Sequence, residues 1–285
     1  SASVEVARLG QSRLLAATPG ADGRPADGAE LAAVALWRHL LALSTHHNRN
    51  LRLLATEVLS IFLRRTCAQV CDAAELAADA DAAVVQRART IYGFLRGEVR
   101  RLAQRPPAEL DAAELSTLLS AVGELAGPMR RFDGEAEVHT QLRALCELAA
   151  AVYQPAALRH SEAARRGADR GATSISAFVE AFARVLRHAG GGAVDALALR
   201  TLEQLVQLTF AQFKMMTVGQ RLRNAAALQE VLVALDGRDG AQGALLSRAV
   251  FPALLVTIDG GRSAAHPPPA AFVKGFWTPL LSAAT

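Results

Sequence analysis

The chain has 285 residues, of which 51% are hydrophobic, 5% aromatic and 20% charged, with a net charge of +4 and a pI near 9.4. That is apolar material for a large core, arranged as one extended array or as two ordinary domains, and it excludes a disordered tail. The longest apolar run, "ALLSRAVFPALLVTI", is broken by Arg248, so no membrane-spanning helix is expected.

Sixty residues are alanine and many are leucine, the two best helix formers, while β-branched residues rarely alternate with polar ones. This composition predicts an all-α protein. The basic set is nearly all arginine, because Lys214 and Lys274 are the only lysines beside 29 arginines. The guanidinium group is a planar donor fork suited to phosphates and base edges. A GC-rich coding sequence would raise arginine, alanine and glycine together and is the competing account.

Cys67, Cys71 and Cys146 make no disulfide framework, and the odd number points to a reducing compartment. Cys67 and Cys71 are one helical turn apart with no second pair of ligands, so they read as small buried hydrophobes and not as a metal site. The opening, "SASVEVARLGQSRLLAATPG", sets Arg8 and Arg13 against Glu5. It fits either the remainder beside a cleaved organellar transit peptide or a flexible arm, here assigned to 1–28.

From about Glu30 the pattern turns helical. "ELAAVALWRHLLALSTHH" places Leu31, Val34, Leu36, Leu40 and Leu43 near helical spacing, and "NLRLLATEVLSIFLRRTCAQV" continues it beyond a break at "HHNRN". A third segment puts Val84, Val85, Ile91, Phe94, Leu95 and Val99 inward and should stop before Pro106 and Pro107, since proline cannot continue a helix. At "LDAAELSTLLSAVGEL", Asp111 is a natural N-cap with Glu114 placed to close a capping box, and Leu115, Leu118, Leu119 and Val122 form the apolar stripe. This helix is expected to end near Gly127-Pro128, with "EAEVHTQLRALCELAAAVY" as its partner, making 111–153 a helical hairpin.

A second hairpin is expected from a cap at Thr173 or Ser174, through the triple glycine at 190–192, to a helix starting near Asp195. A third begins at "TVGQ", where Thr217 and Gln220 fit a capping box, and passes through "DGRDG" into the run ending near 258. Thr173 to Thr217 is 44 residues, so the pattern predicts an α-solenoid of antiparallel helical hairpins with about 40–44 residues per repeat over 29–258. The segment 259–285 opens with "HPPP" and closes with Phe272, Phe276 and Trp277, which reads as a Pro-rich linker and a short helix that caps the array or docks on a neighbouring protein.

A catalytic constellation is not found. The sequence lacks a His-Glu-x-x-His pair, a nucleophile elbow, a Walker loop and a dinucleotide-binding glycine fingerprint. "AGGGAV" lies between helices and reads as a turn. His46 and His47 are adjacent, which suits no simple metal site, and the acidic residues are dispersed. Neither enzyme activity, a cofactor nor a metal is expected.

The placing of arginine is the distinctive feature. Arg49, Arg52, Arg64 and Arg65 surround the first hairpin; Arg89, Arg96 and Arg100 recur at spacings of seven and four, with Arg101 and Arg105 beside them. Further groups are Arg130-Arg131, Arg165-Arg166 with Arg170, and Arg221 with Arg223. Repeated along one edge of a solenoid, they would follow a phosphate backbone with salt-sensitive, largely sequence-independent affinity. The opposing account is helix-end stabilisation by the macrodipole and ordinary solvated faces.

At "LSTLLSAVGEL", "FVEAFARVLRHAG" and "LQEVLVALDGRDG" the chain resembles the first helices of the degenerate repeats in the octotricopeptide and heptatricopeptide families and in FAST-kinase-like helical regions, over about 111–258. HEAT and armadillo repeats share the same pattern. The first resemblance implies a place in organellar RNA processing or in a mitochondrial ribosome: a large multi-subunit complex in the mitochondrial matrix, with rRNA or other RNA and neighbouring proteins as partners. The second implies a protein scaffold in a cytoskeletal or signalling complex, in the cytoplasm. No RAP-type C-terminal domain is visible, and no functional residue is carried over.

Overall fold

The computed structural model describes residues 37–44, 46–75, 82–107, 110, 112–153, 168–191, 194–211, 218–238 and 240–253. Over these residues the chain is all-α, with no strand among them. A helical run at 37–44 precedes α1 (Arg49–Glu75), α2 (Ala82–Ala103), α3 (Ala112–Phe132), α4 (Glu135–Tyr153), α5 (Ala168–His188), α6 (Ala196–Ala211), α7 (Val218–Leu235) and α8 (Ala241–Leu245). The chain divides into two compact units between Phe132 and Asp133.

In the first unit the expected break at "HHNRN" is present, and its chemistry is local. Asn48 caps α1, its side-chain oxygen accepting from the backbone N–H groups of Asn50 and Leu51 at 2.9 and 3.4 Å. Arg52 then reaches back to donate to the carbonyls of His46 and His47 at 3.1 and 3.3 Å. These bonds satisfy backbone groups that a helix end leaves without partners. α2 ends at Ala103, ahead of Pro106, as expected.

α1 packs most extensively on α3, and both pack on α2. Leu59, Phe62 and Leu63 of α1, Leu95 of α2 and Leu118 and Leu119 of α3 are nearly inaccessible. The predicted stripe of Leu115, Leu118, Leu119 and Val122 is buried throughout. Ile91, Leu95 and Val99 of the predicted α2 face are buried, whereas Val85 and Phe94 are half-buried. Leu40 is buried and Leu43 half-buried, while Leu31, Val34, Leu36 and the Asp111 cap lie outside the described residues. Glu98 is buried on α2 and accepts from Arg38 at 3.4 Å and from Arg101 at 2.7 Å, a pairing that offsets the cost of desolvating its carboxylate.

The expected stop at Gly127-Pro128 is not observed. α3 runs through Pro128 to Phe132, and the turn comes instead at Asp133-Gly134, where Gly134 has φ 92°. Proline deletes one helical hydrogen bond, but tertiary contacts hold the turn beyond it: Met129 is buried, and the Phe132 ring stacks on Tyr92 at 5.5 Å.

In the second unit, helices next but one in sequence are neighbours. α5 packs on α7, and α4, α6 and α8 follow one another in the same way, with α4 and α6 also against α5. α5 begins at Ala168, so Thr173 and Ser174 lie inside the helix and not at its cap. The alanines at 168 and 172 continue helix-forming sequence upstream of them. Ile175, Phe178, Val179, Phe182, Val185 and Leu186 are all essentially inaccessible. Asp195 does cap α6 as expected, accepting from Leu197 N–H at 3.0 Å.

The "DGRDG" turn between α7 and α8 uses left-handed glycines at 237 and 240 (φ 70° and 73°) to point Arg238 inward. Arg238 is buried, and its guanidinium donates to the carbonyl of Leu186 in the last turn of α5 at 2.6 Å. Gln242 likewise donates to Leu232 O of α7 at 3.1 Å. After α8 the helix widens to a π turn over Leu246–Val250, closed by Phe251 N–H bonding Leu246 O, immediately before Pro252.

Replacing Arg238 with alanine removes one of two donors to Leu186 O, the other being the Ala189 N–H at 3.1 Å, and opens a space behind the turn. We expect a loss of about 2 kcal/mol in urea unfolding, against a change within about 0.5 kcal/mol for Arg200→Ala at an exposed site. Equal effects from the two variants would refute the anchoring role of Arg238.

Candidate nucleic-acid interface

The arginines predicted from sequence fall into three classes. Arg89, Arg96 and Arg100 lie within an arc of about 40° on α2, as seven- and four-residue spacings require at 3.6 residues per turn. Arg89 and Arg100 are exposed and Arg96 is half-buried. Arg101 lies about 120° round the helix from the centre of that arc and pairs with Glu98. Arg89 places its guanidinium 5.6 Å above the Phe132 ring, a cation–π contact that leaves the fork's edge to solvent. Gly93 and Gly97 occupy this face too, both exposed, and a Cβ added at either would meet nothing within 4 Å. The helix carries a single carboxylate, Glu98, and it is buried. The exposed face of α2 is therefore basic and open at its two glycines.

A second class is bound within the fold. Arg52 serves the loop carbonyls described above. Arg64 pairs with Glu124 at 3.4 Å, and Arg105 pairs with Glu114, the residue expected to close a capping box. Arg65 on α1, Arg130 and Arg131 in the last turn of α3, and Arg223 on α7 form a third, exposed class, with Arg221 half-buried beside Arg223. The side chains of Arg49 and Arg170, and all of Arg165 and Arg166, lie outside the described residues.

Sequence reasoning missed one feature of the second unit. A cleft of about 340 Å³ between α4 and the start of α6 is lined by His139, Arg143, Cys146, Asp195 and Leu197, among others. Glu135, His139 and Arg143 form a ladder one helical turn apart, with His139 3.6 Å from Glu135 and Arg143 3.5 Å from Asp195. Gly190 has φ 72°, and the Glu135 carboxylate occupies the space a side chain there would take. The spacing of the ladder is visible in sequence; the approach of Asp195 depends on how α6 packs on α4.

The cleft's chemistry is self-contained. Burial pushes the Cys146 thiol up, a hydrogen bond from the Thr201 side chain partly opposes this, and the thiol stays protonated and poorly nucleophilic. Burial also raises the Cys67 thiol well above its ordinary value, with Glu124 adding to it. The Asp195 carboxyl is held below the usual carboxylate range, chiefly by the Leu197 N–H, with Arg143 adding to the effect. Among the described residues no group of three or more His, Cys, Asp or Glu side chains is placed to hold a metal ion. No helix among them is long and apolar enough to cross a membrane.

Two outcomes are expected. Gly93→Ala and Gly97→Ala should each raise stability by roughly 0.5–1 kcal/mol, read from thermal melts, because the added methyl meets no neighbour; destabilisation would mean that the face is closed by contacts. Asp195→Asn keeps a capping side chain and removes its charge. A carboxyl with a lowered folded pKa contributes stability above its unfolded pKa, lost as pH falls through the folded value. The exposed pair contributes less than about 1 kcal/mol, so a small deficit in the variant at neutral pH should close in acid; a deficit unchanged by pH would sink this account.

No family model matches the chain, and neither a curated protein nor a solved structure shows significant similarity to it.

Proposed function

We propose that the chain is a non-enzymatic α-solenoid that serves as a structural component of an RNA-containing organellar assembly, with a mitochondrial ribosome in the matrix as the setting. The observation that carries this reading is the exposed face of α2. Arg89, Arg96 and Arg100 share one side of that helix, with two open glycines beside them, and its one carboxylate is withdrawn into the core. Such a face offers guanidinium groups to a phosphate backbone, and the glycines let the backbone approach closely. The solenoid part of the reading draws support from the second unit, where alternate helices stack in two layers, the contact order of successive antiparallel hairpins.

A protein scaffold is the alternative favoured by a specific observation. Several arginines are engaged by acids, including Arg64, Arg105 and Arg143, and Leu51, Leu53 and Leu54 are exposed on α1. Exposed leucines, in a chain whose arginines are in part already engaged by acids, suit a protein partner.

Purification from native cells followed by gradient sedimentation separates the two. An RNase-sensitive large particle supports the RNA assembly, and an RNase-resistant smaller complex supports the scaffold. In the isolated protein, the triple reversal of Arg89, Arg96 and Arg100 to glutamate should weaken single-stranded RNA binding and lower the slope of log K against log salt by about 2 for three lost phosphate contacts. An unchanged slope would remove α2 from the interface.

A further inference from the structure

Arg89 stands at the outer end of a pile of π-systems in the first unit. The Phe132 ring, at the end of α3, stacks on Tyr92 of α2 at 5.5 Å and 26°, and the Arg89 guanidinium lies 5.6 Å from the centroid of that same ring. Tyr92 is buried, Phe132 half-buried and Arg89 exposed, so the pile runs from the core to solvent. Tyr92 is about 60° round α2 from Arg89 on one flank, and Gly93 is about 40° round on the other. The rings therefore take one flank of Arg89 and leave the glycine flank to solvent.

That flank is open for a reason of helix geometry. Side chains on a helix lean toward its N-terminus, so one at 93 would lean over the turn that carries Arg89, and one at 97 would lean over Gly93. Both positions are glycine, both are exposed, and a Cβ added at either meets nothing within 4 Å. The resulting gap runs about 12 Å along the axis from Arg89 to Gly97. Gln86 and Thr90, exposed and uncharged, border it at about 60° and 100° from Arg89.

We propose that this gap receives one unpaired base of a single-stranded RNA, stacked on Arg89 with Phe132 and Tyr92 behind it. The inference rests on the reading of α2 as an RNA-facing surface and names the form of RNA that the surface takes. Guanidinium planes and aromatic rings are the platforms on which splayed bases stack, and the contact accepts any base because each has a π-face. A guanidinium already held against a ring has less freedom to lose when a base covers its outer side. The Gln86 amide supplies both donors and an acceptor for a base edge. Duplex RNA keeps its bases stacked on one another and offers this face only backbone and groove, so the gap selects the unpaired strand. Arg96 and Arg100 continue in line along α2, in the direction the strand's phosphates follow.

Binding of fluorescently labelled RNA to the isolated full chain tests the proposal, with single-stranded oligoadenylate and an RNA duplex of the same length as probes. Arg89→Lys keeps the charge and removes the plane, and Gly93→Gln fills the gap from a Cβ that meets no neighbour. Each should weaken oligoadenylate binding about fivefold or more. Duplex affinity should stay within about twofold, and the salt slope of Arg89→Lys should match the wild type, since no phosphate contact is lost. Full oligoadenylate affinity in either variant overturns the platform, as does an equal loss on both probes, which would leave Arg89 as a charge contact alone. The two readings fail separately. If the wild type binds neither probe, α2 is not an RNA surface and both fall. If reversal of Arg89, Arg96 and Arg100 to glutamate weakens binding while Arg89→Lys and Gly93→Gln do not, the RNA surface stands and the platform falls.

Discussion

Burial of the broad apolar face of α5 is the constraint from which the second unit follows. The buried side chains of α5 cover more than half of its circumference, leaving Glu180, Arg184 and Arg187 on the other side, so the helix needs several neighbours, and α4, α6 and α7 supply them. The same burial leaves the carbonyls of its last turn away from water, where each would cost free energy without a donor. Leu186 O accepts from the Ala189 N–H at 3.1 Å, and Arg238 adds a second donor from a turn more than fifty residues away in sequence. The two left-handed glycines of the turn exist to aim that side chain, so a loop that reads as a simple connector is part of the core.

Arginine takes several physical roles in this chain. Arg52 and Arg238 complete backbone hydrogen bonding at helix ends; Arg38 and Arg101 neutralise the buried Glu98; Arg64, Arg105 and Arg143 bridge helices to acidic partners. An abundance of arginine is therefore not in itself a binding surface. What distinguishes α2 is the absence of an exposed carboxylate along a face that also carries open glycines. The basic character of that face is a property of arrangement and not of count.

α7 contrasts with α5. Both present apolar residues on more than one side, but those of α5 are covered by described neighbours while α7 keeps Leu222, Ala226 and Val233 in solvent. Exposed leucines singly mean little.

By itself the sequence determined the helical class, the stripe of α3, the stop of α2 before Pro106, the break at "HHNRN" and the capping of α6 by Asp195. Each depends on local chemistry: helix propensity, a missing N–H, a side-chain oxygen beside unpaired amides, or 3.6-residue periodicity. The seven- and four-residue spacing of Arg89, Arg96 and Arg100 was legible for the same reason. Only the tertiary structure decided that α3 continues through Pro128, because the stacking of Phe132 on Tyr92 lies between distant segments. It alone decided that α5 starts ahead of Thr173, that Arg64 and Arg105 meet acids, and that Asp195 turns toward Arg143. Contacts between residues far apart in the chain have no periodic signature, and packing, not propensity, sets where they fall.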